Sequence, residues 1–298
     1  MRHARNPDVK RELRVKKTSH QKSTRVDTAI IMIIVALSLG VFLYPTAANW
    51  VNTRLHAESI TGWTEAANEL NPSEIIDILE AAERYNERLA EGLEGNLDDS
   101  DESYLSQLVI PGSTVMARVV VPSINVVLPV FHGTSSQVLD VGAGHMYGTS
   151  LPVGGLNTNS VITAHSGIDG NRLFNDLHDM EFGDVFMVEV AGRIMFYQVD
   201  QITIVEYDTV MLFPSESGND YLTLLTCTPI GINSHRLLVR GVRFEPEPDI
   251  QEVIVNYAPE GEGFPWWAIQ WLSAVLMSGI ITNFTVKFIS RRKAISSR

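Results

Sequence analysis

The stretch that decides the fold is Tyr221-Leu-Thr-Leu-Leu-Thr-Cys227-Thr-Pro229, an apolar and β-branched run that ends at a proline turn. Such a run predicts a buried β-strand, which carries Cys227 to its end. Cys227 is the only cysteine in the 298 residues and therefore cannot form an internal disulfide. Two interpretations remain open at this point: an inert core residue, the common state of a free cysteine, or a reactive thiol.

Two further residues lie at strand ends and could serve a reactive thiol. In Val161-Ile-Thr-Ala-His165-Ser-Gly167 an apolar strand again ends on a reactive type of residue before a glycine turn. We interpret His165 as the candidate general acid and base. Arg236 opens the strand after Cys227, but Arg240 shares its face on an alternating strand, so the pattern alone does not separate the two arginines. His3 and His20 lie in the first basic tail and His56 lies close to the first apolar segment, so the competing histidines are His132, His145, His178 and His235.

The two ends of the chain indicate its compartment. Residues 1–27 form a basic tail with nine Lys/Arg against three Asp/Glu, and residues 287–298 form a second basic tail. Residues 28–48 and 264–286 are predicted transmembrane helices. The positive-inside rule then predicts a cell-membrane protein with both termini in the cytoplasm and the rest outside. A cleaved signal peptide is the alternative for the first segment, and a buried core helix is the alternative for the second.

The predicted external part is strongly acidic. Between residues 28 and 286 there are nine arginines, no lysine and 32 acidic residues, a formal net charge of −23. This charge argues against nucleic acid and anionic lipid headgroups as partners. The acidic clusters fall in loops without ligand periodicity, so we predict no metal site and no cofactor.

The external part divides into three regions. Residues 49–110 are predicted to be helical and then acidic: Ala66 to about Leu97 is predicted helix, with a capping box at Asn71-Pro-Ser-Glu74. Residues 111–246 form a mostly-β catalytic domain that fits a closed barrel, with short helical pieces near Ser136 and Leu173, and residues 247–263 form a linker. The predicted strands are Val115–Val121, Asn125–Val130, Ser160–His165, Asp184–Ala191, Met195–Glu206, Tyr221–Thr228 and Arg236–Phe244.

At these residues the sequence resembles the sortases, the cysteine transpeptidases of Gram-positive surfaces, and within them class C, which polymerises pilins. The likeness rests on Thr-Leu-Leu-Thr-Cys227-Thr-Pro, on Arg236-Leu-Leu-Val-Arg-Gly and on Thr-Ala-His165-Ser-Gly. Four further stretches resemble class C in order and spacing, as does the second apolar span. They are Val121–Val126, Leu128–Thr134, Gly144–Gly155 and Leu173–Leu177.

The resemblance implies an eight-stranded β-barrel and assigns roles to three residues. Cys227 is the nucleophile that cleaves an LPXTG-type sorting signal between threonine and glycine, and His165 is the general acid and base. Arg236 stabilises the oxyanion or the substrate. The implied partners are pilins or surface proteins that carry the signal, together with a pilin lysine amine as acceptor. Three alternatives stay open: a membrane-anchored cysteine hydrolase, a sortase that anchors proteins to the cell wall, and a catalytically silent pilus scaffold.

The sequence departs from the family pattern in two places. The usual Thr-Gly-His-Arg-Gly is here Thr-Ala-His165-Ser-Gly, and the Asp-Pro-aromatic lid motif is replaced by Asp98-Asp99-Ser100-Asp101-Glu102. Asp98 and Asp99 are the lid candidates. Because no aromatic plug is present, we expect a lid contact with Arg236 to contribute only about 0–1 kcal/mol.

Overall fold

The computed structural model describes residues 7–92, 101–207, 218–259 and 263–296. The chain divides into two compact units, of which the first contains Met1–Ala47 and Phe264–Arg298 and the second contains Ala48–Gly263. The helices are α1 (Pro7–Asn68), α2 (Pro72–Ala90), α3 (Glu102–Leu105), α4 (Ser136–Leu139), α5 (Pro248–Val255) and α6 (Trp266–Ser296).

A closed barrel of eight strands forms the second unit, in the order β1-β2-β3-β4-β7-β8-β6-β5. The strand pairs β2·β3 and β4·β7 are parallel, and the other pairs are antiparallel. The strands are β1 (Ala117–Val121), β2 (Val126–His132), β3 (Ala143–His145), β4 (Thr158–Thr163), β5 (Val185–Val190), β6 (Arg193–Glu206), β7 (Asp220–Thr228) and β8 (His235–Phe244).

The barrel confirms the predicted fold class, and seven of its strands match predicted ones. β3 was missed because it has only three residues, Ala143–His145, in a glycine-rich stretch where no alternation can be read. The predicted piece near Ser136 is α4, whereas the piece near Leu173 is a 3-10 turn further along, at Leu177–Asp179. Within residues 66–97 the described part contains a break, because α1 ends at Asn68 and α2 starts at Pro72.

A helical layer covers one part of the barrel. α2 starts as predicted, with the Asn71 N–H donating to Glu74 Oε2 at 2.7 Å. Its buried side chains share one hydrophobic core with Trp63 of α1 and Tyr104 of α3. Trp63, Tyr85 and Tyr104 are each no more than 1% exposed, so this layer is a part of the folded domain.

The region predicted as a linker contains α5, which packs on the barrel. Ile254 lies in a second buried cluster with Val120, Met187 and Phe196. Tyr257 follows α5, and its hydroxyl donates to Asn125 Oδ1 at 2.8 Å. The chain is therefore held against the barrel up to that residue.

Two helices are long and apolar enough to cross a membrane by length and composition: α1, over Ala29–Asn68, and α6, over Trp266–Phe288. They pack against each other, since Trp271 Nε1 donates to the carbonyl of Ala36 at 3.3 Å. A Cβ on Gly279 would lie only 2.9 Å from Met32 Sδ, so glycine permits this close approach.

Candidate active site

Cys227 and Arg236 lie directly opposite each other on neighbouring antiparallel strands. Register pairing joins Cys227 of β7 to Arg236 of β8, and residues paired in this way present their side chains on the same face of the sheet. Both side chains are partly exposed. The Arg236 guanidinium donates from Nη1 to the carbonyls of Asn233 and His235, at 3.0 Å each. Cys227 and Arg236 are therefore neighbours on one face of the sheet.

His165 is brought to the same end of the barrel by the parallel pair β4·β7. The last register pair joins Thr163 to Leu225, and each candidate residue lies two positions further along its chain. The Ala164 N–H extends this ladder by donating to the Leu225 carbonyl at 3.2 Å. His165 is partly exposed, like Cys227. The structure thus brings together the three residues that the sequence selected.

The segment after His165 is held from two sides. The Phe174 N–H donates to the His165 carbonyl at 3.1 Å, and the Gly167 N–H donates to Asn175 Oδ1 at 2.6 Å. From α1, Asn52 Nδ2 donates to the Gly170 carbonyl at 2.7 Å. Asn52 of α1 therefore takes part in placing the loop that follows the candidate acid and base.

Arg240, the alternative to Arg236, has a structural role. Its Nη2 lies 2.8 Å from Asp200 Oδ2, its Nε lies 3.1 Å from Asp200 Oδ1, and its guanidinium lies 4.0 Å from the ring centroid of Tyr221. For Arg236 the described part of the chain provides no carboxylate within ion-pair distance. Among the described residues, Arg236 thus differs from Arg240 in having only backbone carbonyls as hydrogen-bond partners.

Two of the other histidines are structural. His145 is completely buried, with Nδ1 2.9 Å from the Tyr104 hydroxyl and Nε2 2.9 Å from the Ser150 carbonyl. Burial lowers its pKa to about 4. Burial also lowers the pKa of His132, whose Nε2 lies 2.8 Å from the Gln107 carbonyl. Both rings connect the barrel to the helical layer.

His178 and His235 are the remaining competitors. His178 is exposed and lies beside Asp179. His235 precedes Arg236 on β8, so its side chain takes the other face of the strand.

Of the acidic segment, Asp98 and Asp99 lie outside the described residues. The described end, Asp101, caps α3 by accepting from the Ser103 N–H at 2.8 Å, and it accepts from the Tyr147 hydroxyl at 3.1 Å. The Ser103 N–H lowers the pKa of this carboxyl. Asp101 therefore serves the helical layer.

Two residues that touch the site were quoted in the motifs without a role. Ser166 donates from Oγ to the carbonyl of Cys227 at 2.5 Å, and Thr226 donates from Oγ1 to the carbonyl of Ala164 at 2.8 Å. Their positions in the sequence could have indicated this contact, since Ser166 directly follows His165 and Thr226 directly precedes Cys227.

A thiol, an imidazole and a guanidinium at one end of a barrel suit acyl transfer through a thioester. In chemistry of this kind a thiol can supply the nucleophile, an imidazole can give and take a proton, and a guanidinium can stabilise a developing oxyanion. This chemistry defines the class as that of the cysteine acyltransferases and hydrolases.

Comparisons with known proteins narrow the class. Residues 119–244 match the sortase domain family. Sortase C1 of pilus island 1 of GBS is 38% identical with a TM-score of 0.59, over 65% of this chain and 94% of that one. The sortase C of Streptococcus pneumoniae is 39% identical with a TM-score of 0.57, over 63% of this chain and 97% of that one.

The chain belongs to the sortase family, a family of cysteine transpeptidases, and its solved relatives confirm the expected likeness to class C. Among curated relatives, sortase A of Streptococcus agalactiae is 29% identical over 133 residues, which are 43% of this chain and 53% of that protein. The chain thus spans about half the length of this relative.

Proposed function

We propose that this chain is a membrane-anchored pilin-polymerising transpeptidase that acts on LPXTG-type sorting signals. The observation that carries the proposal is the pairing of Cys227 with Arg236 on β7 and β8, at the strand end where β4 delivers His165. The two solved relatives support the pilin substrate: one comes from a pilus island, and the other is described in terms of pilin substrate specificity.

The reaction divides into two acyl transfers. The Cys227 thiolate attacks the threonine carbonyl of the signal, and the bond to the glycine nitrogen breaks as His165 gives a proton to that leaving amine. A lysine amine of the next pilin then attacks the thioester, His165 takes the proton, and the thiolate leaves. Arg236 stabilises the oxyanion in both steps, and its fixed charge suits this role.

The amine acceptor has to come from another protein if it is a lysine. The chain has no lysine between residues 28 and 286, so the external part offers its own thioester no lysine side chain. We further propose that both basic tails lie in the cytoplasm and that the barrel lies outside the cell, where sorting signals and pilins are exposed.

The test uses the full-length protein in detergent micelles with a fluorescent sorting-signal peptide, with and without a lysine-containing pilin peptide. We expect an isopeptide-linked product that requires the acceptor, and no adduct or product with Cys227→Ala. A thiol-to-methyl change at a partly exposed strand end costs roughly 1–2 kcal/mol, too little to unfold this domain.

A matched pair of histidine variants serves as the control. His165→Ala should abolish the product, whereas His178→Ala, which changes an exposed side chain, should retain it. Free acid as the only product of the wild type would identify a hydrolase. Product from Cys227→Ala would contradict the assignment of the nucleophile.

A further inference from the structure

Two hydroxyl groups join the segments that carry the candidate catalytic residues. The Ser166 hydroxyl, directly after His165, donates to the carbonyl of Cys227 at 2.5 Å. The Thr226 hydroxyl, directly before Cys227, donates to the carbonyl of Ala164, directly before His165, at 2.8 Å. Each segment thus gives one hydrogen bond to the other.

The two hydroxyl bonds lie just beyond the last backbone hydrogen bond between β4 and β7. The ladder ends with the Ala164 N–H and the Leu225 carbonyl. Beyond that point Gly167, at φ +79°, turns one chain away, and the turn at Pro229 redirects the other. Within the described residues, the two side-chain bonds are therefore what connects the segments at the level of Cys227 and His165.

Both hydroxyls are shielded from water, which strengthens such bonds. Ser166 is 8% exposed and Thr226 is 2% exposed. The two turns also pack closely, since a Cβ on Gly167 would lie 2.8 Å from Ile230 Cγ2.

We propose that Ser166 and Thr226 are positioning residues that set the separation of the Cys227 thiol and the His165 imidazole. This inference rests on the function proposed for those two residues. Neither hydroxyl needs to touch the substrate, because each acts on the backbone that carries the reacting group. Proton transfer between thiol and imidazole depends steeply on their geometry, so a loosened connection lowers the rate of chemistry more than it lowers substrate binding.

The experiment compares Ser166→Ala, Thr226→Val and the double variant with two controls, all as full-length protein in detergent. Thr223→Val removes a buried hydroxyl of the same strand, which donates to Asn159 Oδ1 at 3.0 Å away from the site. Ser160→Ala removes a buried hydroxyl of β4 that has no partner among the described residues. Thr226→Ser keeps the hydroxyl and should restore the wild-type behaviour.

Two readouts are measured alongside the thermal unfolding midpoint. The first is the pH profile of Cys227 alkylation by iodoacetamide, and the second is kcat and KM for aminolysis of the sorting-signal peptide. We expect Ser166→Ala and Thr226→Val each to lower kcat about 10- to 100-fold, with KM within about twofold, and to shift the alkylation profile. Both controls should keep wild-type kcat and profile, although Thr223→Val lowers the unfolding midpoint.

Each outcome decides the inference. A kcat within about twofold of the wild type in Ser166→Ala and Thr226→Val would overturn it, as would an equal kcat loss in Thr223→Val at an equal loss of stability. If the wild type gives no aminolysis product, the transpeptidase proposal fails by itself. The pH profile of Cys227 alkylation is then the only test of the positioning role. If Ser166→Ala leaves this profile unchanged, the inference is overturned.

Discussion

Arg236 and Arg240 lie on the same face of β8, but their neighbours give them different roles. Asp200 and the Tyr221 ring hold Arg240, whereas Arg236 lies opposite Cys227 and binds two backbone carbonyls. We expect Arg236→Lys to lower kcat for aminolysis by about 10²- to 10³-fold, since an ammonium on a flexible stem does not replace the planar fork. Arg240→Lys should stay within about threefold of the wild type, since its ion pair only supports the barrel wall.

The measurement is kcat for both variants and for the matched alanine changes, with thermal unfolding as the check on folding. Arg236→Ala should resemble Arg236→Lys. If Arg240→Lys lost more activity than Arg236→Lys, the oxyanion role would belong to the other arginine of this face.

The buried His145 makes stability depend on pH. Burial lowers its pKa to about 4 from 6.5, so below pH 6.5 the unfolded chain binds a proton that the folded chain excludes. Stability is therefore full above pH 6.5 and falls as the pH drops toward 4. The loss from this one group amounts to about 3 kcal/mol.

Urea unfolding of the full-length protein between pH 7.5 and pH 4 measures this dependence. His145→Gln should be less stable at pH 7.5 but should show a shallower fall, because the titrating group is gone. His178→Gln, which changes an exposed histidine, should keep the wild-type slope. The same slope in all three proteins would show that other groups dominate the acid sensitivity.

At the scale of elements, we expect the barrel and the helical layer to stabilise each other, because they share one hydrophobic core. Trp63 of α1 is 1% exposed and belongs to the main core with residues of α2, α3 and the barrel. We expect Trp63→Ala to lower the free energy of unfolding by roughly 3–5 kcal/mol, because it leaves a large cavity. The change in denaturant midpoint measures this.

The control on the same helix is Leu55→Ala, because the Leu55 side chain is 52% exposed. The free energy of unfolding of this variant should stay within about 0.5 kcal/mol of the wild type. A second form of the test removes residues 1–68, which takes away Trp63 together with the membrane span. A fragment of that kind with wild-type stability would show that the barrel does not depend on α1.

The sequence predicts a strand or a site residue where a local pattern determines it, and fails where contacts between distant parts of the chain determine it. Alternation and turn residues predict seven strands, and strand ends before turns select Cys227 and His165, because these signals are local. Arg236 could not be separated from Arg240 in this way, since that choice depends on Asp200 and Tyr221 of other strands. The bond from Ser166 to the Cys227 carbonyl likewise depends on how far apart β4 and β7 end, which no local pattern contains.

At the scale of the whole molecule, the second unit, Ala48–Gly263, has its two ends in contact. Trp50 Nε1 donates to the carbonyl of Gly263 at 2.9 Å, so the point where the chain enters this unit touches the point where it leaves. In the other unit, contacts from Ala36 to Trp271 and from Met32 to Gly279 show that the two apolar helices run antiparallel. A hairpin of two spans with both tails on one side accounts for both observations.

The single cysteine makes this topology directly testable. In a Cys227→Ala background, one cysteine is introduced by Ser23→Cys in the first basic tail, by Ser297→Cys in the second, or by Ser106→Cys on the exposed surface of the barrel unit. Intact cells are treated with a membrane-impermeant maleimide before and after permeabilisation. We expect Ser106→Cys to be labelled in intact cells, and the two tail variants only after permeabilisation, because nine and five basic residues hold the tails in the cytoplasm. Labelling of one tail in intact cells would mean that its apolar helix does not span the membrane in the proposed direction, and the hairpin would then be wrong.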